Sequence, residues 1–229
     1  KREGKANQPT IYARHKTHDK AKVLFDPATY DPTGLTAIGG MAPSQDGKYL
    51  AVGLYKAGDE NTTVYVIDTN TGLWLPDQIE GKAAVVEWLP DGKGFFYEKL
   101  GDVSNPYSAQ IRMHLLGTNP KGDPLLFRQY TVAENKELAT TWGPGAVFSK
   151  DGAFLFTTNL GGAPTGEDRT GTVGILDVKT KTLVGSVPVG RVPEHATLSP
   201  DGKHLAVVLA NGAANNKSDP NYDKVVGLL

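Results

Sequence analysis

The sequence predicts an all-β fold assembled from repeated four-stranded antiparallel sheets, and three observations carry that prediction. First, a phrase recurs four times: Ser44-Gln45-Asp46-Gly47-Lys48, Leu89-Pro90-Asp91-Gly92-Lys93, Ser149-Lys150-Asp151-Gly152-Ala153 and Ser199-Pro200-Asp201-Gly202-Lys203, with the Asp residues 45, 60 and 50 positions apart. Such spacing suits one four-stranded unit per copy, the arrangement of a β-propeller blade, with one unit carrying longer loops. Second, side chains repeat at matched offsets. Four residues after each Asp stand Leu50, Phe95, Leu155 and Leu205, and two further on stand Val52, Tyr97, Thr157 and Val207, a period-2 face suited to packing between blades. Third, 27 Gly and 15 Pro in 229 residues make the chain rich in turns, and no stretch holds a sustained 3.6-residue apolar period.

The elements follow in order. Thr10–Arg14 and Lys22–Phe25 read as a third-and-fourth-strand hairpin without the two strands that would precede it. Each Asp-Gly phrase then closes a tight hairpin between a first and a second strand, because Asp bonds its own downstream backbone and Gly accepts positive φ. Three residues before each Asp stand Pro43, Trp88, Phe148 and Leu198. Third strands are read at Val64–Ile67, Ile111–Leu115 and Val173–Leu176, and fourth strands near Trp74-Leu75, Leu125–Phe127 and Leu183–Gly185. Ala196–Ser199 and Leu205–Ala210 are a first and a second strand, and Val225–Leu229 sits at third-strand distance. The whole predicts a single propeller domain over 1–229 of about four blades, with a closing blade shared by strands from both termini. Seventeen candidate strands exceed four full blades by one, so a monomer is expected, with a homodimer through an unpaired edge strand as the alternative.

Composition excludes several classes. With 39% hydrophobic and 21% charged residues the chain is long enough for a sizeable core, and a formal charge of -1 gives no electrostatic pull toward nucleic acid or an anionic membrane. Residues 1–22 carry seven Lys/Arg against two Asp/Glu and read as a solvated tail. Zero Cys removes disulfides, thiolate metal sites and thiol catalysis. Neither a signal peptide nor a membrane-length apolar run is found, and the start at Lys1 without an initiator Met reads as an excised or processed piece.

Catalytic motifs are sought without success. The chain holds no G-x-S-x-G, H-E-x-x-H, G-x-x-x-x-G-K-[ST], G-x-G-x-x-G or acidic calcium loop. Ser44, Ser149 and Ser199 recur before Asp-Gly and read as turn residues. Among five His, His15 and His18 fall in a polar hairpin turn, His114 alternates along a strand and His204 follows a repeat turn, so each reads as a surface or edge residue. His195 differs: it precedes an inner strand beside Glu194 and aligns with Gly40, Val85 and Gly145, which places it to enter a central channel. The plainer reading is a strand-end His satisfied by backbone or water. Glu87, taken as the start of another inner strand, is the third channel candidate. No catalytic residue, metal ligand or cofactor is assigned. Trp88, Phe95, Phe96, Phe148, Phe154 and Phe156 read as core between blades, and the polar loops 101–110 and 159–170 as rim loops for binding or spacing.

From about residue 4 to 157 the chain resembles the N-terminal propeller of the prolyl oligopeptidase family of serine peptidases. The residues carrying this are Asn7–Tyr12, Val23–Pro27, Asp46–Leu54, Leu75-Pro76-Asp77, Trp88–Tyr97 and His114-Leu115-Leu116-Gly117-Thr118. The resemblance implies a gating propeller that stands beside an α/β-hydrolase domain, to which no segment here corresponds. From about 160, Gly171–Asp177, Gly185–Gly190 and His195–Lys203 are similar to YVTN-type and lactonase-like propeller repeats. Two lineages meeting at a blade boundary imply a chimera, natural or engineered, of segments 1–157 and 158–229. Function is accordingly expected to be that of a non-catalytic scaffold or interaction ring, the alternatives being a peptidase gate or a channel enzyme using His195, Glu194 and Glu87.

Overall fold

The computed structural model describes residues 8–136, 139, 145–159, 170–191 and 193–209. Strands β1 (Ile11–Ala13) and β2 (Lys22–Phe25) pair as an isolated hairpin. The first full blade is β3 (Thr36–Pro43), β4 (Tyr49–Lys56), β5 (Thr63–Asp68) and β6 (Trp74–Ile79). The second is β7 (Ala84–Trp88), β8 (Gly94–Leu100), β9 (Ala109–Leu115) and β10 (Leu125–Arg128), and the third is β11 (Gly145–Phe148), β12 (Phe154–Asn159), β13 (Thr170–Asp177) and β14 (Thr182–Arg191). A last hairpin joins β15 (Pro193–Leu198) to β16 (Leu205–Leu209). Each four-stranded sheet is a meander in which chain neighbours are sheet neighbours, as propeller blades are. The chain divides into two compact units, one of residues 1–104 with 111–125 and the other of 105–110 with 126–229.

The repeated phrase does the same physical work wherever it occurs. At the first copy the Ser44 hydroxyl donates to Asp46 Oδ1 at 2.7 Å and accepts from the Tyr49 amide at 2.9 Å, while the Lys48 amide donates to Asp46 Oδ1 at 3.0 Å. Ser149 with Asp151 and Ser199 with Asp201 repeat this geometry, so the serines are turn residues as read from the sequence. Gly47, Gly92, Gly152 and Gly202 all sit near φ +70°, which a Cβ would strain. These turns fix register: Pro43 faces Leu50, Trp88 faces Phe95, Phe148 faces Leu155 and Leu198 faces Leu205.

Alternation then sorts side chains to two faces, since a slip of one residue would exchange them. On the first blade Leu50, Val52, Leu54 and Ile67 pack with Leu24 and Phe25 of β2, whereas Ala51, Val64 and Val66 pack with Trp88, Phe95 and Tyr97 of the second blade. Trp88 also donates its indole N–H to the Ala42 carbonyl at 2.9 Å and stacks on Tyr49. In the other unit Val173, Val207 and Leu209 form the corresponding layer. The N-terminal hairpin is fastened further by Lys22, whose ammonium donates to the Asn70 carbonyl at 2.6 Å.

Several expectations need correction. His114 is no surface residue: it is fully buried. Phe154 is 38% exposed, since it falls on the opposite face from Leu155, while Trp88, Phe95, Phe96 and Phe148 are core. Two short helical turns interrupt the strands, α1 (Pro27–Tyr30), capped by Asp26 with Pro at its first position, and a 3-10 turn at Pro120–Gly122 capped by Asn119. Strand β15 begins at Pro193 and β7 at Ala84, so His195 and Glu87 lie inside strands rather than at their starts. The third-strand candidate Val225–Leu229 and most of loop 159–170 lie outside the described residues. No described helix is long and apolar enough to cross a membrane.

Candidate functional site

The channel candidates fall into two groups. Glu194 and His195 are neighbours on β15, both exposed, at a bulge where His195 pairs with Val208 and the Glu194 carbonyl accepts the Thr158 hydroxyl at 3.2 Å. Glu87 belongs to the other unit, on β7, at a bulge opposite Phe96. Burial pushes its carboxyl above the ordinary glutamate range, partly offset by the Trp88 amide. Among the described residues no three His, Asp or Glu converge as a metal set would.

An exposed sheet edge lies along β3. This strand is the sheet's edge, pairing only with β4 in the sheet order, and Gly39, Gly40 and Met41 are exposed along it. A cleft of about 550 Å³ runs beside them, bounded across by Lys82–Val85 and Glu98 and closed below by Tyr55 and Thr62. Its floor is tight: a Cβ on Gly53 would lie 2.6 Å from Thr62 Cγ2. Burial raises the Glu98 carboxyl, although the residue keeps access to solvent. Lys82 and Glu60 form an exposed ion pair at 3.4 Å on the rim, worth little energetically. Chemically the cleft offers a sheet-edge strand, two carboxylates and one ammonium, groups able to hold an extended backbone.

The sequence reading missed a second constellation within the same unit. His114 Nε2 lies 2.8 Å from Asp77 Oδ1, and its Nδ1 lies 3.0 Å from Asp123 Oδ2. Tyr97 donates to Asp123 Oδ2 at 2.9 Å, and the Gly117 amide donates to Asp77 Oδ1 at 2.6 Å. No residue pattern marked it: His114 reads as one polar residue of a strand, and its burial, like that of Ile111 three positions earlier, is seen only in the structure.

Meandering four-stranded sheets, each with an Asp-Gly turn between its first and second strands, define a β-propeller domain. The chain belongs to the prolyl oligopeptidase N-terminal β-propeller family, whose model matches residues 1–180 and so runs past the boundary near 157. Prolyl oligopeptidase A of Galerina marginata is 30% identical over 130 residues, covering 46% of this chain and 18% of that protein. Prolyl oligopeptidase A of Amanita bisporigera is 28% identical over 158 residues, covering 58% and 20%. A solved structure from a study of two prolyl endopeptidases superposes on 89% of this chain and 36% of its own with a TM-score of 0.62 at 24% identity. Apo prolyl oligopeptidase B of Galerina marginata gives 0.58 at 19% identity, over 82% of this chain and 27% of its own. The chain spans about a fifth of the length of these curated relatives.

Proposed function

We propose that this chain is a non-catalytic propeller scaffold that admits extended peptide to a prolyl-oligopeptidase-type serine peptidase. The observation that carries this reading is the exposed edge of β3 beside the 550 Å³ cleft, in a chain of that propeller family. A peptide laid along Gly39–Met41 pairs its backbone with the edge, while Glu98 and Glu60 favour a positively charged segment. The separate origin of residues from about 158 in YVTN-like repeats rests on Gly171–Asp177, Gly185–Gly190 and His195–Lys203 and belongs to the same proposal.

The test is a fluorescent, internally quenched peptide with proline beside a central scissile bond and flanking Lys residues. The reading expects saturable, salt-weakened binding by anisotropy with no turnover. Turnover that is lost in a His195→Ala variant would replace it with the channel-enzyme reading.

A further inference from the structure

We infer that Asp77, His114, Asp123 and Tyr97 form a proton-dependent lock tying β6 of the first blade to β8 and β9 of the second, closed only while the His114 ring carries a proton on both nitrogens. The argument is a hydrogen-bond count. The three ionisable partners are buried, with side-chain exposures of 0% for His114, 1% for Asp77 and 3% for Asp123. Each ring nitrogen meets a carboxylate oxygen, and each carboxylate already accepts another donor: the Gly117 amide on Asp77 and the Tyr97 hydroxyl on Asp123. Ionised carboxylates only accept, so both contacts are hydrogen bonds only if both ring nitrogens donate. A singly protonated ring would press a lone pair against a buried carboxylate in surroundings that amplify the repulsion.

Tyr97 stays a donor, because burial and then its bond to Asp123 hold its phenol above the ordinary tyrosine range. Arg112 of β9 spends one guanidinium N–H on the Asp123 carbonyl at 2.7 Å. Lys99 of β8 feels Arg112, Glu80 and Asp123 electrostatically, and burial lowers its ammonium. The remaining face of the ring packs on Phe95, at 5.4 Å between centroids. With both ring protons the three ionisable partners carry one net negative charge. Asp77 Oδ2 is buried without a hydrogen-bond partner among the described residues.

Ring nitrogen NMR on the intact chain tests this directly. At about pH 8, with Nε2 facing Asp77 and Nδ1 facing Asp123, the His114 ring should show two protonated nitrogens with slowly exchanging ring N–H signals. A His114 ring with one bare nitrogen at that pH overturns the lock. Thermal melts supply a second readout. His114→Gln should melt roughly 10 °C below the parent near pH 6. The gap should shrink as pH rises and the parent loses its ring proton. A gap independent of pH means the histidine is packing only. In Asp77→Asn the charge opposite Nε2 is removed, so the second ring proton should leave at lower pH than in the parent; an unchanged titration also counts against the lock.

Discussion

Replacing Phe95 by Ala probes the packing between the first two blades at its centre. The ring is 0% exposed and meets three others, Trp88 at 5.0 Å, His114 at 5.4 Å and Tyr97 at 6.2 Å between centroids. Losing the phenyl group forfeits about 2 kcal/mol of transfer free energy. A residual void of about 80 Å³, at about 24 cal/mol per Å³, adds about 2 kcal/mol. Aromatic pair contacts contribute about 0.5–1 kcal/mol more, for a total of about 4–5 kcal/mol. Trp88 lies against the lost ring, so its fluorescence in a urea titration reports the transition. Phe154→Ala is the internal control: it also follows a repeat turn but is 38% exposed, and should cost under about 1 kcal/mol. Equal losses in the two variants would refute the assignment of one face to the core and the other to solvent.

Gly53→Ala should cost about 1–3 kcal/mol by overpacking Thr62 Cγ2 at 2.6 Å, and Thr62→Ser, which removes that methyl, should recover part of it in a double-mutant cycle by urea unfolding. Asp31 is held at about 2 by hydroxyl bonds from Thr33 and Thr36, so what it contributes is present above the ordinary carboxylate range and lost only as pH falls toward 2. Thr36→Val should move its titration upward in carboxyl carbon NMR. Glu87 has the opposite sign: burial raises its carboxyl, so the protonated form suits the fold and stability falls as pH climbs past the ordinary glutamate range. Glu87→Gln should therefore melt no lower than the parent at pH 7, the two converging near pH 4. Deleting residues 1–26 removes Leu24 and Phe25 from the layer over Leu50, Val52 and Ile67, and light scattering should show association of the truncated chain.

The repeat made most of the fold legible. Asp46, Asp91, Asp151 and Asp201 mark hairpins whose local chemistry is self-sufficient, so their register follows from a few residues. Third strands were readable because Val64–Ile67 and Val173–Leu176 pack on both faces of a blade and stay apolar. What stayed hidden depends on distant partners. His114 looks like any polar residue of a strand until Asp77, 37 residues earlier, is brought to its ring. Bulges near Gly39, Glu87 and Glu194 likewise shift which side chains face inward without leaving a mark in the alternation. Part of the cleft is lined by the backbone of Gly39 and Gly40, and backbone edges carry no residue signature.

Amide NMR during titration with the proline-containing peptide tests the central claim most directly. Admission along the exposed edge of β3 predicts saturable shifts concentrated at Gly39, Gly40 and Met41, with smaller ones at Lys82–Val85 and Glu98 across the cleft. Shifts concentrated instead at Glu194 and His195, or no shifts at millimolar peptide, would contradict it.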